Sequence, residues 1–324
     1  MKRLLVLAAV LLSGCLSLSF LWFNPVPLDA YDVSEFSIVP EELVEFVEFP
    51  GTAVDGEDEA PTLWGVWLHQ CTDLDDEASC DPHTDHPEFE AARRDRTLLY
   101  FHGNGGNLQH YWDRATILWR MGFRVFAVDY RGYGASTGDP SEDGVFADAR
   151  SANLLVRERM ADEAGLSGDE PPPAAAFRIG YYGWSLGSTA AIDLSTFDPP
   201  AALVTESALA SGQAFLDDAI GVGIARPVIY DTKFDNLGKI GTIASPKLLA
   251  HGTDDTFVKF AFSELLFEEA EEPKVLFPVP GADHGNVPCP TRDPSVPSTE
   301  APCMATDSYL DTVGSFYDEW LLGS

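Results

Sequence analysis

The chain has 324 residues, 45% hydrophobic and 22% charged, enough to bury a large core in one α/β domain or two smaller ones. Its 52 acidic residues against 20 basic give a formal net charge of -32, which argues against a nucleic-acid partner and against docking of the folded surface on anionic membrane. Such a surplus favours solubility and says nothing about fold.

At the N-terminus Lys2 and Arg3 precede the apolar run "LLVLAAVLL", and small residues follow up to Cys15, the pattern of a secretory signal. Leu12-Ser13-Gly14-Cys15 also resembles the bacterial lipoprotein box, in which cleavage leaves the cysteine as a lipid-modified N-terminus. On that resemblance residues 1–15 are a signal peptide, Cys15 carries the lipid, and the domain is exported and anchored at the cell envelope. Acyl chains worth about 0.8 kcal/mol per buried CH₂ would hold it there. Apolar character continues to Phe23, so Leu4 to Phe23 is also long enough to span a bilayer uncut, and plain secretion is the third reading. Residues 16–40 read as a tether, Pro-containing and weakly patterned between Asn24 and Pro40.

A single domain is expected over 41–324, with no internal repeat and no second boundary. "LVEFVEF" and "LWGVWLH" read as strands. An acidic insertion follows over 70–96, with His83 and His86 among carboxylates; a solvated loop explains it without a bound cation. Then strands "TLLYFHG", "FRVFAVDY", "FRIGYYG", "AALVTES", "PKLLAHG" and "KVLFPVP" alternate with helical segments. Ser141 is the expected cap of the helix "SEDGVFADARSANLLVRERM", and Gly122 the expected end of the helix before "FRVFAVDY". This alternation predicts an α/β fold with a mainly parallel, twisted sheet covered by helices on both faces.

Besides Cys15, four cysteines remain. The sequence-local pairing, Cys71–Cys80 and Cys289–Cys303, would close two polar loops in an oxidising compartment; free thiols or the other pairings are the alternative. No Cys-x-x-Cys spacing suggests zinc, and no cofactor is expected.

Sites on such sheets lie beyond the carboxyl ends of the strands. Ser185 stands there in Gly183-Trp184-Ser185-Leu186-Gly187, where a strand turns into a helix and neighbouring backbone leaves little room for Cβ atoms. A serine hydroxyl needs a base, and the base an orienting acid. Asp254 and Asp255 follow a later strand, and His284 the one after it, so the order is Ser, Asp, His. Oxyanion donors are expected from the backbone N–H of Leu186 and from "FHGNGGN", with Asn104 preferred and Gly105 in reserve.

The strings "YFHGNGGN", "VDYRGYGASTGDPSEDG", "GWSLGS", "FDNLGKIGTIASPKLLAHGTDDTFV" and "GADHGN" closely resemble membrane-associated α/β-hydrolase-domain proteins and bacterial serine-aminopeptidase-like hydrolases. The resemblance covers roughly Leu98 to His284 and implies the α/β-hydrolase fold. The family pattern HG-x-x-D-x-x-V, laid on His251 to Val258, selects Asp255 over Asp254 as the acid, with Ser185 as nucleophile and His284 as base. It also implies that Asp129, Arg131 and Ser136 brace a turn. The segment Ala208 to Ser245, where many relatives carry a lid, is short, so the expected cap is small or absent. The acidic insertion and the loop bearing Cys289 and Cys303 depart from the usual pattern.

The expected activity is cleavage of a small-molecule carboxylic ester or thioester by a serine hydrolase. Amide or peptide cleavage is the alternative, and an anchored, non-catalytic binding protein a more distant one. Hydride transfer is disfavoured, because "HGNGGN" is not a GxGxxG fingerprint.

Overall fold

The computed structural model describes residues 22–35, 37–70, 92–166, 171–220, 234–290 and 305–323. Strands β1 (Val44–Pro50) and β2 (Thr62–Leu68) pair antiparallel, with Val44 opposite Leu68. β2 then pairs antiparallel with β4 (Arg124–Asp129). The remaining pairings are parallel and involve β3 (Thr97–Phe101), β5 (Gly180–Trp184), β6 (Ala202–Glu206), β7 (Lys247–Gly252) and β8 (Lys274–Val279). The order across the sheet is β1-β2-β4-β3-β5-β6-β7-β8. Every residue of β3, β5, β6 and β7 is buried, which is why these segments read as unbroken apolar runs rather than alternating ones.

Helices cover both faces. Leu98, Tyr100 and Tyr182 share a core with α1 (Trp112–Arg120) and α7 (Asp307–Tyr317) on one side. Leu99, Phe101 and Tyr181 pack on the other with α2 (Glu142–Glu163) and α3 (Leu186–Phe197). Ser141 caps α2 by accepting from the Gly144 N–H at 3.0 Å. Gly122 follows α1 with φ +92°, as a helix-ending glycine does. A 3₁₀ turn, Leu108–Tyr111, leads into α1, and the Asn107 side chain caps it by accepting from the Gln109 N–H at 3.0 Å.

Within Ala208 to Ser245, helices α4 (Gly212–Ile220) and α5 (Asn236–Ile240) are described, while 221–233 lie outside the described residues. α6 (Phe260–Glu269) sits between β7 and β8.

The expectation of a tether over 16–40 fails from Trp22 onward. Trp22, Phe23, Val33 and Val39 are buried, and the Val26 and Leu28 N–H groups donate to Gly106 and Gly134, each at 2.8 Å. The side chains that dock are spaced irregularly, so no period betrays them.

Cys15, Cys71, Cys80, Cys303, His83 and His86 fall outside the described residues. Cys289 is buried, and the pairings Cys289–Cys303 and Cys71–Cys80 fall outside the described residues. Among the described residues no His, Cys, Asp and Glu cluster suits a metal ion, and no helix is long and apolar enough to cross a membrane.

Candidate active site

The strand-to-helix turn is as tight as the glycine spacing implies. Ser185 has φ 54° and ψ -116°, a backbone state costing a non-glycine residue on the order of 1–3 kcal/mol. Packing enforces it. A Cβ on Gly183 would fall 2.7 Å from Ser188 Cα, and one on Gly187 would fall 2.8 Å from the His102 carbonyl oxygen. The Ser185 N–H is tied to the Glu206 carbonyl at 2.9 Å, and Ser188 Oγ donates to the Gly183 carbonyl at 2.9 Å. The result stands the Ser185 hydroxyl beyond the end of β5.

Two loops that follow neighbouring strands are zipped together across from it. The Thr253 and Asp254 N–H groups donate to the Val279 and Ala282 carbonyls, each at 3.0 Å. The Gly281 N–H donates to Thr253 Oγ1 at 3.0 Å, and the Thr256 N–H to Asp283 Oδ1 at 3.2 Å. This registers Asp255 against His284, whose Nδ1 lies 2.8 Å from Asp255 Oδ2 and whose Nε2 lies 3.0 Å from Ser185 Oγ. An ionised carboxylate only accepts, so Nδ1 carries the proton and Nε2 is left to accept from the serine. Asp254 is exposed and interacts with the Thr253 hydroxyl at 3.0 Å.

Burial alone would push the Asp255 carboxyl up. Hydrogen bonds from His251, His284 and the Val258 N–H outweigh it and hold the group well below the usual carboxylate range. The Phe257 and Val258 N–H groups both reach Oδ1, at 2.9 and 2.8 Å. His251 was named in the sequence only as part of a motif. Its Nε2 donates to the Val258 carbonyl at 2.7 Å and lies 3.2 Å from Asp255 Oδ2.

Leu186 begins α3, and among the described residues its N–H donates no hydrogen bond, as suits a free donor at a helix start. The Asn104 side chain is engaged elsewhere: Oδ1 accepts from the Asn24 N–H at 2.8 Å and the Tyr133 hydroxyl at 2.9 Å. The loop does reach the nucleophile, since a Cβ on Gly103 would lie 3.6 Å from Ser185 Cβ.

Solved hydrolases share this fold. An esterase of Pyrococcus furiosus aligns with a TM-score of 0.58 at 18% identity, over 92% of this chain and 99% of its own. The α/β hydrolase GrgF of a Penicillium species aligns with a TM-score of 0.52 at 15% identity, over 86% and 99%. By sequence, human α/β hydrolase domain-containing protein 17B is 33% identical over 196 residues, 59% of this chain and 61% of the relative. An uncharacterised protein of Mycobacterium tuberculosis is 34% identical over 193 residues, 58% of this chain and 63% of the relative.

The chain belongs to the α/β-hydrolase superfamily. It spans about three-fifths of the length of these curated relatives, and no protein-family model matches it.

Within this α/β-hydrolase frame, Asp129, Arg131 and Ser136 occupy bracing positions. Ser136 Oγ donates to the Asp129 carbonyl at 2.8 Å and accepts from the Trp64 N–H at 2.9 Å. Arg131 is buried between Asp148, at 2.7 Å, and Glu57, at 2.6 Å.

Sequence reading missed Arg114. This buried guanidinium lies 3.8 Å from the centre of the Trp184 ring, pairs with Glu206 at 3.0 Å and Asp113 at 3.2 Å, and donates to the Gly285 carbonyl at 2.8 Å. It thus grips the residue after His284 and the residue before Ser185 at once. A lone arginine in an amphipathic helix carries no signal that could have singled it out.

Proposed function

We propose that the chain is a serine hydrolase that cleaves a small-molecule carboxylic ester or thioester through an acyl-enzyme on Ser185. The observation that carries this reading is the Ser185–His284–Asp255 relay, with both links within 3.0 Å. His284 Nε2 takes the hydroxyl proton as Ser185 Oγ bonds to the substrate carbonyl carbon. The tetrahedral oxyanion is met by the backbone N–H groups of Leu186 and Asn104. On collapse the alkoxide or thiolate leaves with the proton held by His284. Water then gives a proton to His284 and attacks the acyl carbon, which releases the acid and restores the serine. Asp255 stays ionised and keeps the imidazole in the tautomer this requires.

A fluorophosphonate probe, compared between the wild type and Ser185→Ala, tests the reading. Labelling confined to the wild type supports it; equal labelling of both proteins, or of neither, overturns it. p-Nitrophenyl esters of graded acyl length, run beside aminoacyl amides, separate esterase from amidase chemistry, which the same relay would serve.

Export and anchorage through Cys15 belong to the same proposal and rest on the N-terminal sequence. A fatty-acid label that is lost in Cys15→Ser tests them. The pairings Cys71–Cys80 and Cys289–Cys303 are tested by peptide mapping without reductant.

A further inference from the structure

We propose that the N-terminal strap, residues 22–31, is a positioning element of the active site that holds the loop His102–Asn107 in the shape from which the Asn104 backbone N–H meets the oxyanion. This rests on Ser185 being the nucleophile.

The loop cannot hold that shape alone. Gly105 and Gly106 have φ +89° and +83°, values glycine enters without steric cost and leaves as readily. External bonds must therefore fix them, and the strap supplies four. The Asn24 N–H donates to Asn104 Oδ1 at 2.8 Å, and the Gly106 N–H donates back to the Asn24 carbonyl at 2.9 Å. The Val26 N–H donates to the Gly106 carbonyl at 2.8 Å, and Asn107 Nδ2 to the Val26 carbonyl at 2.8 Å. From the domain side, the Tyr111 hydroxyl donates to the Asn104 carbonyl.

The same bonds narrow the choice of donor. Both backbone groups of Gly106 are taken by the strap. Among the described residues neither the Asn104 nor the Gly105 N–H donates a hydrogen bond. Asn104 directly follows Gly103, on which a Cβ would lie 3.6 Å from Ser185 Cβ, so it is the donor next to the part of the loop that reaches the nucleophile.

The strap is itself secured at both ends. Tyr31 donates to Asp129 Oδ2 at 2.6 Å, the carboxylate that also takes the Leu108 N–H at 3.0 Å. At the other end Trp22 meets Phe215 of α4 with centroids 5.9 Å apart; Phe215 meets Phe257 at 5.3 Å, and Phe257 meets His284 at 5.0 Å. One segment thus touches the oxyanion side of the site directly and the base side through two aromatic rings.

Asn24→Pro and Val26→Pro, singly and together in the full chain, each delete one strap N–H from a residue with an exposed side chain. Losing an entire oxyanion donor lowers kcat by about 10²–10³-fold; a donor that is loosened should lower it by roughly 10–100-fold, with KM within about 3-fold. Fluorophosphonate should still titrate the full complement of Ser185. Three results overturn the proposal: kcat unchanged in the double variant, kcat falling only in step with the titratable fraction, or KM rising with kcat intact. Failure of the underlying nucleophile assignment looks different, because the wild type itself then resists the probe.

Discussion

Replacing Arg114 with methionine removes the cation that three separate parts of the site share. The stem volume is retained, so the loss is one of charge and hydrogen bonds. Among the described residues Glu206, fully buried, then keeps only the Tyr182 and Tyr309 hydroxyls as side-chain partners, and Asp113 loses its ion pair. Breaking a buried pair by removing one partner costs about 3–5 kcal/mol, since the other charge stays desolvated. The Gly285 contact lies within the same event and is not added to it. At about 2 °C per kcal/mol for a chain of this size, Tm should fall by roughly 6–10 °C. Scanning calorimetry of Arg114→Met, Glu206→Gln and the double variant checks the mechanism: with Glu206 neutralised, the double variant should regain at least half the loss. A second readout is kcat at a temperature where the variant is fully folded. It should fall about 10-fold or more, because Gly285 no longer has the bond that fixes the His284 loop. A single variant within 1 kcal/mol of wild type, or a double variant no more stable than the single, refutes the reasoning.

Ser185→Ala should lower kcat on a p-nitrophenyl ester by on the order of 10⁶ while leaving the thermal midpoint near wild type, read by steady-state assay and calorimetry. Gly187→Ala should yield little folded protein, since its Cβ would meet fixed backbone at the end of β3; soluble yield and circular dichroism report it. Asp255→Asn should lose stability in a pH-dependent way. The native carboxyl is held below its unfolded value, so its contribution is full above about pH 4 and is lost as pH falls toward the native value. The wild-type advantage over Asp255→Asn in denaturant unfolding should therefore shrink between pH 6 and pH 3, and an advantage that grows on acidification contradicts the assignment. His251→Phe should lower kcat more than it raises KM, because it frees the Val258 carbonyl and so loosens the turn whose N–H groups orient Asp255, without touching substrate.

The main features of the fold could be read from residue order because they depend on local chemistry. Buried parallel strands need continuous apolar residues, and each ends in glycine or a polar turn, so "TLLYFHG", "FRIGYYG" and "PKLLAHG" announce themselves, although the second of these strands runs only from Gly180 to Trp184. The Gly183 and Gly187 spacing reported a close approach of backbone that the structure displays. Ser185 and His284 followed from their places after strands; choosing Asp255 over Asp254 took the family resemblance as well. What the chain order could not express was any contact whose two halves are chemically ordinary. Arg114 and Glu206 lie 92 positions apart. The strap looked featureless because its side chains dock one at a time and its backbone bonds leave no mark on composition. Sequence by itself determined where strands end and which candidate residues stand beyond them; only the tertiary structure decided which buried charges meet and that residues 22–31 bond to the loop after β3. Such pairings are set by the closing of the sheet, and no local preference of the chain encodes them.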